Sequence, residues 1–305
     1  MSSKSVIFAS VVLAAASVTA MGAPASAAPP AGTSPGGEGV YLVSSLLGRN
    51  EIPGTGGAVG DPDGRAVGVL KVKGSTVTYI LRWEGISRPT AAHIHAGGAG
   101  TNGDVKIPLF TSERYGHTAK GSVKVKDRAL LAALVSDPAS FYTNLHTNEF
   151  RGGAVRGQLH KISQPIDGNR PVVDVAPVVK GVQIYACTRQ ADGTFAFTQH
   201  DVSALLRGNI RHSFVQPVAG PPQWVAPDGS AVTGSVVLRT PNGAGNIPEL
   251  DLRATQTGED QGRLEDVVEI MRLNTVGGTA PAGTCDPQAT PTTEVPYQAD
   301  YVFIG

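Results

Sequence analysis

The sequence carries little charge and no excess of either sign. Its 25 basic and 25 acidic residues give a formal net charge of zero, and charged residues make up only 16% of the chain. Proteins that bind nucleic acid usually present a basic patch, because neutralisation of phosphates provides much of their affinity. The balanced composition therefore argues against nucleic acid as a partner.

Long apolar segments are absent after the first 20 residues. Residues 6–20 form an uncharged apolar run that follows Lys4 and precedes the small residues Ala-Ser-Ala at 25–27. This order is typical of a signal peptide with its cleavage site. A retained membrane anchor is the alternative, but the run is shorter than the roughly 20 apolar residues that span a bilayer. We predict a signal peptide over residues 1–27, a secreted protein, and no membrane span after cleavage.

Long helical patterns are nearly absent, whereas glycine (38 residues) and proline (22 residues) are abundant. This composition favours short strands joined by tight turns. Apolar residues alternate with polar ones from Val77 to Trp83, as expected for a strand with one buried face. One short helix is predicted after Asp127, which can cap its first turn, and Pro138 would end it. The sequence thus predicts an all-β protein with one short helix.

The length suggests two domains. Removal of the signal peptide leaves 305 − 27 = 278 residues, which is about two domains of ordinary size. Residues 28–39 are rich in proline, glycine and serine and are predicted to be flexible. A first β-rich domain is predicted over residues 40–162, a linker over the aperiodic residues 163–176, and a second β-rich domain over residues 177–305.

Cysteine is scarce, since only Cys187 and Cys285 are present, both in the second predicted domain. An even number of cysteines in an exported protein favours a disulfide. Two free buried thiols are the alternative. The predicted bond would close a loop of 285 − 187 = 98 positions.

Histidines provide the one candidate chemical site. His93 and His95 flank Ile94, and in a strand they would point to the same face, about 6.5–7 Å apart. Two imidazoles on one rigid face can bind a transition metal. His146, on another predicted strand, is the first choice for a third ligand, and His117 is a weaker candidate.

Two other residues, and an alternative role for His93 and His95, also bear on this candidate site. His160 is another weaker candidate for the third ligand. The alternative to a metal site is that His93 and His95 make structural hydrogen bonds that order the glycine-rich loop at 97–100. Arg156 could guide an anion towards such a site, but a salt bridge at a strand end is its expected role.

Several separated motifs occur in the first predicted domain, residues 40–162. They are Leu-Leu-Gly-Arg-Asn-Glu-Ile-Pro at 46–53, His-Ile-His at 93–95, His-Thr at 146–147 and Gly-Gly-Ala-Val-Arg-Gly-Gln-Leu at 152–159. Together they resemble the CHRD (chordin) domain family. The resemblance implies an immunoglobulin-like β-barrel, which is distantly similar to copper/zinc superoxide dismutase. The biochemical function of the family is not established.

The similarity to the dismutase implies roles for individual residues. His93 and His95 resemble its copper-binding His-x-His pair, His146 resembles its later copper histidine, and Arg156 follows a similar glycine-rich segment. His117 is the only candidate for its bridging histidine. The zinc-loop cluster and the cysteine pair of the dismutase have no counterpart in this domain. The resemblance therefore implies a copper or zinc site with at most weak dismutase activity.

The second domain contains several separated motifs. They are Gly-Val-Gln-Ile-Tyr-Ala-Cys at 181–187, Gly-Pro-Pro-Gln-Trp at 220–224, Asp-Gly-Ser at 228–230, Arg-Leu-Asn-Thr-Val-Gly-Gly at 272–278 and Tyr-Gln-Ala-Asp-Tyr at 297–301. Together they resemble a family of unknown function found in exported bacterial and fungal proteins. The resemblance implies no activity.

Catalytic residues are not predicted in the second domain. Ser230 lacks the G-x-S-x-G context of a nucleophile and follows a turn signal. Alternation places Glu249 and Asp251 on the solvent face of a strand, which disfavours a glycosidase pair. Glu265, Asp266 and Glu269 are the other carboxylates considered for such a pair. Tyr185 and Trp224 could line a carbohydrate platform, but core packing is predicted for them. His212 could act as a base or ligand, but a structural role is predicted.

These observations predict a specific architecture and three classes of function. The fold is an immunoglobulin-like or dismutase-like β-barrel with one short helix, followed by a β-rich domain with one disulfide. The first functional prediction is a non-catalytic extracellular binding or structural protein, with cell-wall polysaccharide or another protein as its partner. The alternative is a copper- or zinc-binding protein that uses His93, His95 and His146, and a hydrolase is third.

Overall fold

The computed structural model describes residues 39–54, 57–164, 166, 174–218 and 220–305. The predicted signal peptide, the predicted flexible segment apart from Gly39, and residues 165 and 167–173 of the predicted linker lie outside the described residues. Among the helices of the described part, none has the length and apolarity needed to cross a membrane.

The first half of the described chain forms a nine-stranded antiparallel sheet that curls into a barrel-like structure. The strand order is β5-β4-β7-β8-β1-β2-β3-β6, and β9 pairs with β1. The strands are β1 (Val40–Leu47), β2 (Arg65–Lys73), β3 (Thr76–Glu84), β4 (Pro89–Ala96), β5 (Val105–Phe110), β6 (Thr118–Lys124), β7 (Phe141–Thr147), β8 (Val155–Gln158) and β9 (His160–Lys161).

Local sequence signals explain the main elements of this domain. Alternate residues of β3 from Val77 to Trp83 are buried in its core, as predicted. The short helix is also confirmed: α1 (Arg128–Ser136) begins after Asp127, whose carboxylate accepts a 2.9 Å hydrogen bond from the backbone N–H of Leu130. Two 3-10 helices, η1 (Gly48–Asn50) and η2 (Pro138–Ser140), complete the domain.

The second half forms a closed antiparallel barrel of eight strands in which each strand pairs with the next, and β17 pairs with β10. Its first strand begins inside the segment predicted as the linker. The strands are β10 (Asp174–Arg189), β11 (Phe195–Leu206), β12 (Ile210–Phe214), β13 (Pro222–Val225), β14 (Ala231–Thr240), β15 (Glu249–Gln256), β16 (Glu269–Gly277) and β17 (Thr292–Ile304).

The predicted disulfide between Cys187 and Cys285 is present, with 5.9 Å between the two Cα atoms. Cys187 lies near the end of β10, and Cys285 lies in the loop between β16 and β17. Backbone hydrogen bonds hold the same loop, since the N–H of Cys285 donates to the carbonyl of Phe195. The predicted all-β fold, with two barrel-like sheets and one disulfide, is therefore confirmed.

The two barrels contact each other through a third hydrophobic cluster. It combines residues of both sheets: Val43, Val69, Ile162, Met271, Leu273, Val302 and Ile304. At its edge the hydroxyl of Ser45 donates to a carboxylate oxygen of Asp300 at 2.9 Å, and the amide of Asn274 donates to the same oxygen at 2.7 Å. The outward face of β16 and β17 is thus buried by the first domain.

The contact between the two barrels contradicts the prediction that Glu249 and Asp251 lie on a solvent-exposed face. Glu249 and Asp251 do not face solvent: the Glu249 side chain is only 14% exposed and lies 3.7 Å from the imidazole of His160 in the first domain. One carboxylate oxygen of Asp251 is fully buried. Alternation correctly placed both residues outside the barrel, but it cannot show that another domain covers that face.

Candidate metal centre

Three histidines meet on two neighbouring strands of the first domain. His93 and His95 lie on β4, and His146 lies on β7, where the strand register pairs His146 with Ala91. Ile94 points to the opposite face and is fully buried in the core. One ring nitrogen from each histidine lies within 4.8 Å of the other two. The structure therefore brings together the three histidines that the sequence singled out.

Two of the three rings are oriented by backbone carbonyls. Nδ1 of His95 lies 2.9 Å from the carbonyl oxygen of Gly103, and Nδ1 of His146 lies 2.9 Å from that of Arg151. A carbonyl oxygen can only accept, so Nδ1 carries the proton in each neutral ring and Nε2 keeps its lone pair. Metal-ligating histidines typically show this arrangement.

The ring nitrogens that face the centre of the cluster have a spacing that fits a metal ion, and Nε2 of His146 also lies 3.1 Å from Oδ1 of Asn144. Nε2 of His95 is buried and has no hydrogen-bond partner among the described residues. Nε2 of His146 lies 3.1 Å from Nδ1 of His93, which is close to the spacing of about 3.3 Å between two ligands of a tetrahedral site with bonds of about 2.0–2.1 Å. Three imidazoles would leave a fourth position open.

The electrostatic environment keeps these rings neutral. Burial, followed by the charges of His146 and His95, lowers the pKa of His93 to about 4. Burial also lowers the pKa of His95 and of His146, although their carbonyl partners act in the opposite direction. Neutral imidazole is the form that binds metal, so the site needs no deprotonation step at neutral pH.

Arg156 does not form the salt bridge that was expected for it. Its side chain is 2% exposed, and its guanidinium donates to the carbonyls of Gly98 and Thr101 and to the side chain of Asn102. The guanidinium also lies 3.4 Å from the ring centre of Tyr142. Arg156 lies on β8, close to the loop that follows β4. Its guanidinium therefore bonds to the carbonyls of that loop instead of pairing with a carboxylate.

Comparison with protein families agrees with both resemblances. Residues 42–159 match the model of the CHRD domain, and residues 201–305 match a model described as a protein of unknown function, DUF3455. The chain combines a CHRD domain with a DUF3455 domain. Neither the search of curated proteins nor the search of solved structures produced a match. Strand β10 completes the second barrel although it precedes the residues matched to DUF3455.

Glu51 of the CHRD domain was not predicted as a site residue. It lines a cavity of about 170 Å³ together with His95 and Asn144. Burial raises its pKa to about 7, against the effects of Arg156 and a hydrogen bond with Asn144. A Cβ atom at Gly153 would lie only 2.4 Å from its carboxylate. The sequence contained two signals that could have identified Glu51, the motif at residues 46–53 and the glycine pair at 152–153. The structure shows that these two segments are in contact.

The weaker histidine candidates lie elsewhere in the CHRD domain. His117 is exposed and is not part of the cluster. His160 lies on β9 beside Glu249 of the second domain. Burial lowers the pKa of His160 to about 4. Neither residue joins the three clustered histidines.

In the DUF3455 domain, Ser230 has a structural role. Its hydroxyl donates to Asp228 at 2.6 Å and accepts from the backbone N–H of Leu264 at 3.1 Å. Glu265 accepts a hydrogen bond from the backbone of Gly262, and Asp266 is exposed. Glu269 is buried at the contact with the CHRD domain, where it accepts hydrogen bonds from Ser163.

The aromatic candidates lie inside the DUF3455 barrel. His212 stacks on Trp224 with 4.4 Å between ring centres, and its Nδ1 lies 2.9 Å from the carbonyl oxygen of Gln223. Trp224 and Tyr185 are buried. All three line an internal cavity rather than an exposed carbohydrate platform.

Proposed function

We propose that this protein is an exported, non-catalytic binding protein whose CHRD domain holds one copper or zinc ion through His93, His95 and His146. The observation that carries the proposal is the convergence of three ring nitrogens, two of them on rings fixed by backbone carbonyls. Imidazole ligands suit both copper and zinc. The leader-like residues 1–27 and the disulfide support export, because disulfides persist mainly outside the cytoplasm.

The ion would have a structural or binding role rather than a role in turnover. It would connect β4 to β7 and, through the Gly103 carbonyl, to the loop that follows β4. Arg156 supports this interpretation, since its guanidinium is engaged by loop carbonyls and by Tyr142 and is not presented to an incoming anion. We expect the copper-loaded protein, after removal of unbound copper, to show no superoxide dismutation above that of the metal-free protein.

Calorimetric titration of metal-free, tag-free protein tests the proposal. We expect one equivalent of Cu²⁺ or Zn²⁺ to bind, and we expect His93→Ala and His146→Ala each to abolish this binding. His117→Ala is the matched control, because His117 lies on the same domain outside the cluster, and it should bind like the wild type. The proposal fails if the wild type binds neither metal, or if the cluster variants bind as tightly as the control.

The partner class remains a prediction from the sequence. Cell-wall polysaccharide or a surface protein fits an exported protein without catalytic residues. A sedimentation assay with isolated cell walls would test the first of these, and absence of the protein from the wall pellet would contradict it.

A further inference from the structure

The DUF3455 barrel contains a cavity of about 330 Å³ with a buried floor and an exposed rim. Trp224, Tyr301 and Leu252 lie at the floor and are almost completely buried, whereas Gln199 and Arg239 lie at the rim and are exposed. Eight-stranded barrels are either filled by their own side chains or hold one small ligand. A cavity of this size is at the lower end of the range for small-molecule sites, about 300–1,000 Å³.

Two side chains with hydrogen-bond donors also line the cavity. Gln183 and Trp224 are only 4% and 1% exposed. The amide nitrogen of Gln183 and the indole nitrogen of Trp224 are inaccessible and have no hydrogen-bond partner among the described residues. These nitrogens are therefore covered by the wall, and the surface that a ligand meets is formed by the other atoms of the lining residues.

The charged side chains around the cavity have one sign. Arg239 and Arg272 line it, and none of the described residues that line it is an aspartate or a glutamate. Arg272 is held in place, since its guanidinium donates to the carbonyl of Pro248 at 2.8 Å. Arginine recognises carboxylates through paired hydrogen bonds. The cavity therefore favours an anion over a neutral or cationic molecule.

The remaining walls are apolar and aromatic. Val202, Phe214 and Leu252 line the cavity, and His212 stacks on Trp224 at its floor. These surfaces suit a flat hydrocarbon group rather than a fully polar molecule. The combination of apolar walls and two arginines defines a ligand class.

We propose that the DUF3455 barrel binds a small carboxylate that carries an aromatic ring. Its carboxylate lies towards Arg239 and Arg272, and its ring lies among the apolar walls. This site is on the second barrel and does not depend on the histidine cluster of the CHRD domain.

The test uses 3-phenylpropionate as the probe and 3-phenylpropanamide as its uncharged counterpart. The chain has two tryptophans, so a full-length Trp83→Phe variant reports only on Trp224. We expect saturable quenching of its fluorescence by the carboxylate, with an affinity about tenfold or more above that of the amide. No saturable response, or equal affinity for the two compounds, would overturn the proposal.

Two variants in the same Trp83→Phe background locate the site. Gln183→Glu is nearly isosteric and places a negative charge in the cavity, and Arg239→Gln removes a positive charge from its rim. Each should weaken binding of the carboxylate about tenfold, whereas Arg211→Gln, on the same barrel outside the cavity, should not. Arg239 is exposed, so its variant keeps the test valid if Gln183→Glu fails to fold. Unchanged binding by Arg239→Gln would contradict the assignment.

The same titration with a His93→Ala chain separates this proposal from the metal site. Loss of metal with retention of the carboxylate is the expected result. Loss of carboxylate binding in this variant would contradict the claim that the two sites are independent.

Discussion

At the scale of single residues, Arg156 connects the core of the CHRD domain to the candidate metal centre. Its guanidinium lies against one face of Tyr142, and the ring of His95 stacks on Tyr142 with 4.8 Å between ring centres. The same guanidinium bonds the carbonyls of Gly98 and Thr101. These residues belong to the loop that contains Gly103, whose carbonyl orients His95. Arg156 therefore acts on the site through the loop and the stacked rings.

Replacement of Arg156 by lysine tests this role. An ammonium group cannot reproduce the planar fork of the guanidinium, so some partly buried loop carbonyls would lose their donor, at a cost of about 1–3 kcal/mol of stability. Disturbance of groups that orient a ligand typically lowers metal affinity about 10–100-fold. We expect both effects in urea unfolding and in calorimetric titration of Arg156→Lys. Arg82→Lys, at an exposed position of β3, is the control, and wild-type metal affinity in Arg156→Lys would contradict the proposed role.

The sequence predicted part of this site. The spacing of His93 and His95 and the strand around His146 were sufficient to select the three clustered residues. The role of Arg156 was predicted wrongly, because its partners are backbone carbonyls of a loop, which carry no sequence signature. Glu51 was missed for a similar reason: its burial depends on a contact with Gly153 that lies about a hundred positions away in the chain.

At the scale of elements, the disulfide connects a hairpin to a long loop. Cys187 lies on β10, and its backbone N–H donates to the carbonyl of Pro291 at 2.9 Å. The loop between β16 and β17 is therefore fixed to the hairpin of β10 and β11 at both Cys285 and Pro291. This attachment lies at the end of the barrel where β17 begins to pair with β10, at Thr292.

Replacement of both Cys187 and Cys285 by serine should destabilise the barrel strongly. A loop of 98 positions gives about 4–5 kcal/mol in models that count the entropy of the unfolded chain. We expect a loss of this order in the free energy of unfolding, measured by urea titration in the Trp83→Phe background, where Trp224 is the reporter. Reduced wild-type protein is the control and should behave like the variant. A variant as stable as the oxidised wild type would contradict this account.

Strands and turns were largely predictable at this scale, whereas barrel closure was not. Alternation identified β3 and β15, and a capping aspartate identified α1, because these signals are local. The closing pair of β10 and β17 joins residues more than a hundred positions apart, and no local pattern specifies it. The start of β10 at Asp174 was missed because its first residues have no alternating pattern of their own.

At the scale of the whole molecule, the contact between the two barrels buries acidic groups. Glu269 is fully buried there and accepts hydrogen bonds from the backbone N–H groups of Ser163 and Gln164. Burial and the neighbouring carboxylate of Asp251 raise its pKa to about 8, and the hydrogen bonds oppose this shift. The same burial raises the pKa of Asp251. The contact is therefore sensitive to pH.

The direction of this pH dependence follows from proton uptake. In the unfolded chain Glu269 has a pKa near its ordinary value of 4.5, and in the folded protein its pKa is about 8. Between pH 4.5 and pH 8 the folded state binds more protons at Glu269 than the unfolded state does. The contribution of Glu269 to stability is therefore complete below pH 4.5 and is lost as the pH rises to 8. Titration of this one group changes the free energy of unfolding by at most about 1.4 kcal/mol per pH unit.

Glu269→Gln should remove this dependence. We expect the free energy of unfolding of the variant to change less between pH 5 and pH 8 than that of the wild type, as measured by urea titration at a series of pH values. Glu265→Gln, outside the buried pair, is the control and should follow the wild type. Parallel curves for Glu269→Gln and the wild type would show that Glu269 does not titrate in this range.

X-ray absorption spectroscopy of the zinc-loaded full-length protein tests directly whether His93, His95 and His146 bind one ion. We expect three imidazole nitrogens at about 2.0–2.1 Å from the zinc, and loss of this signal in the His146→Ala variant. A first shell made of oxygen with no more than one imidazole would contradict it.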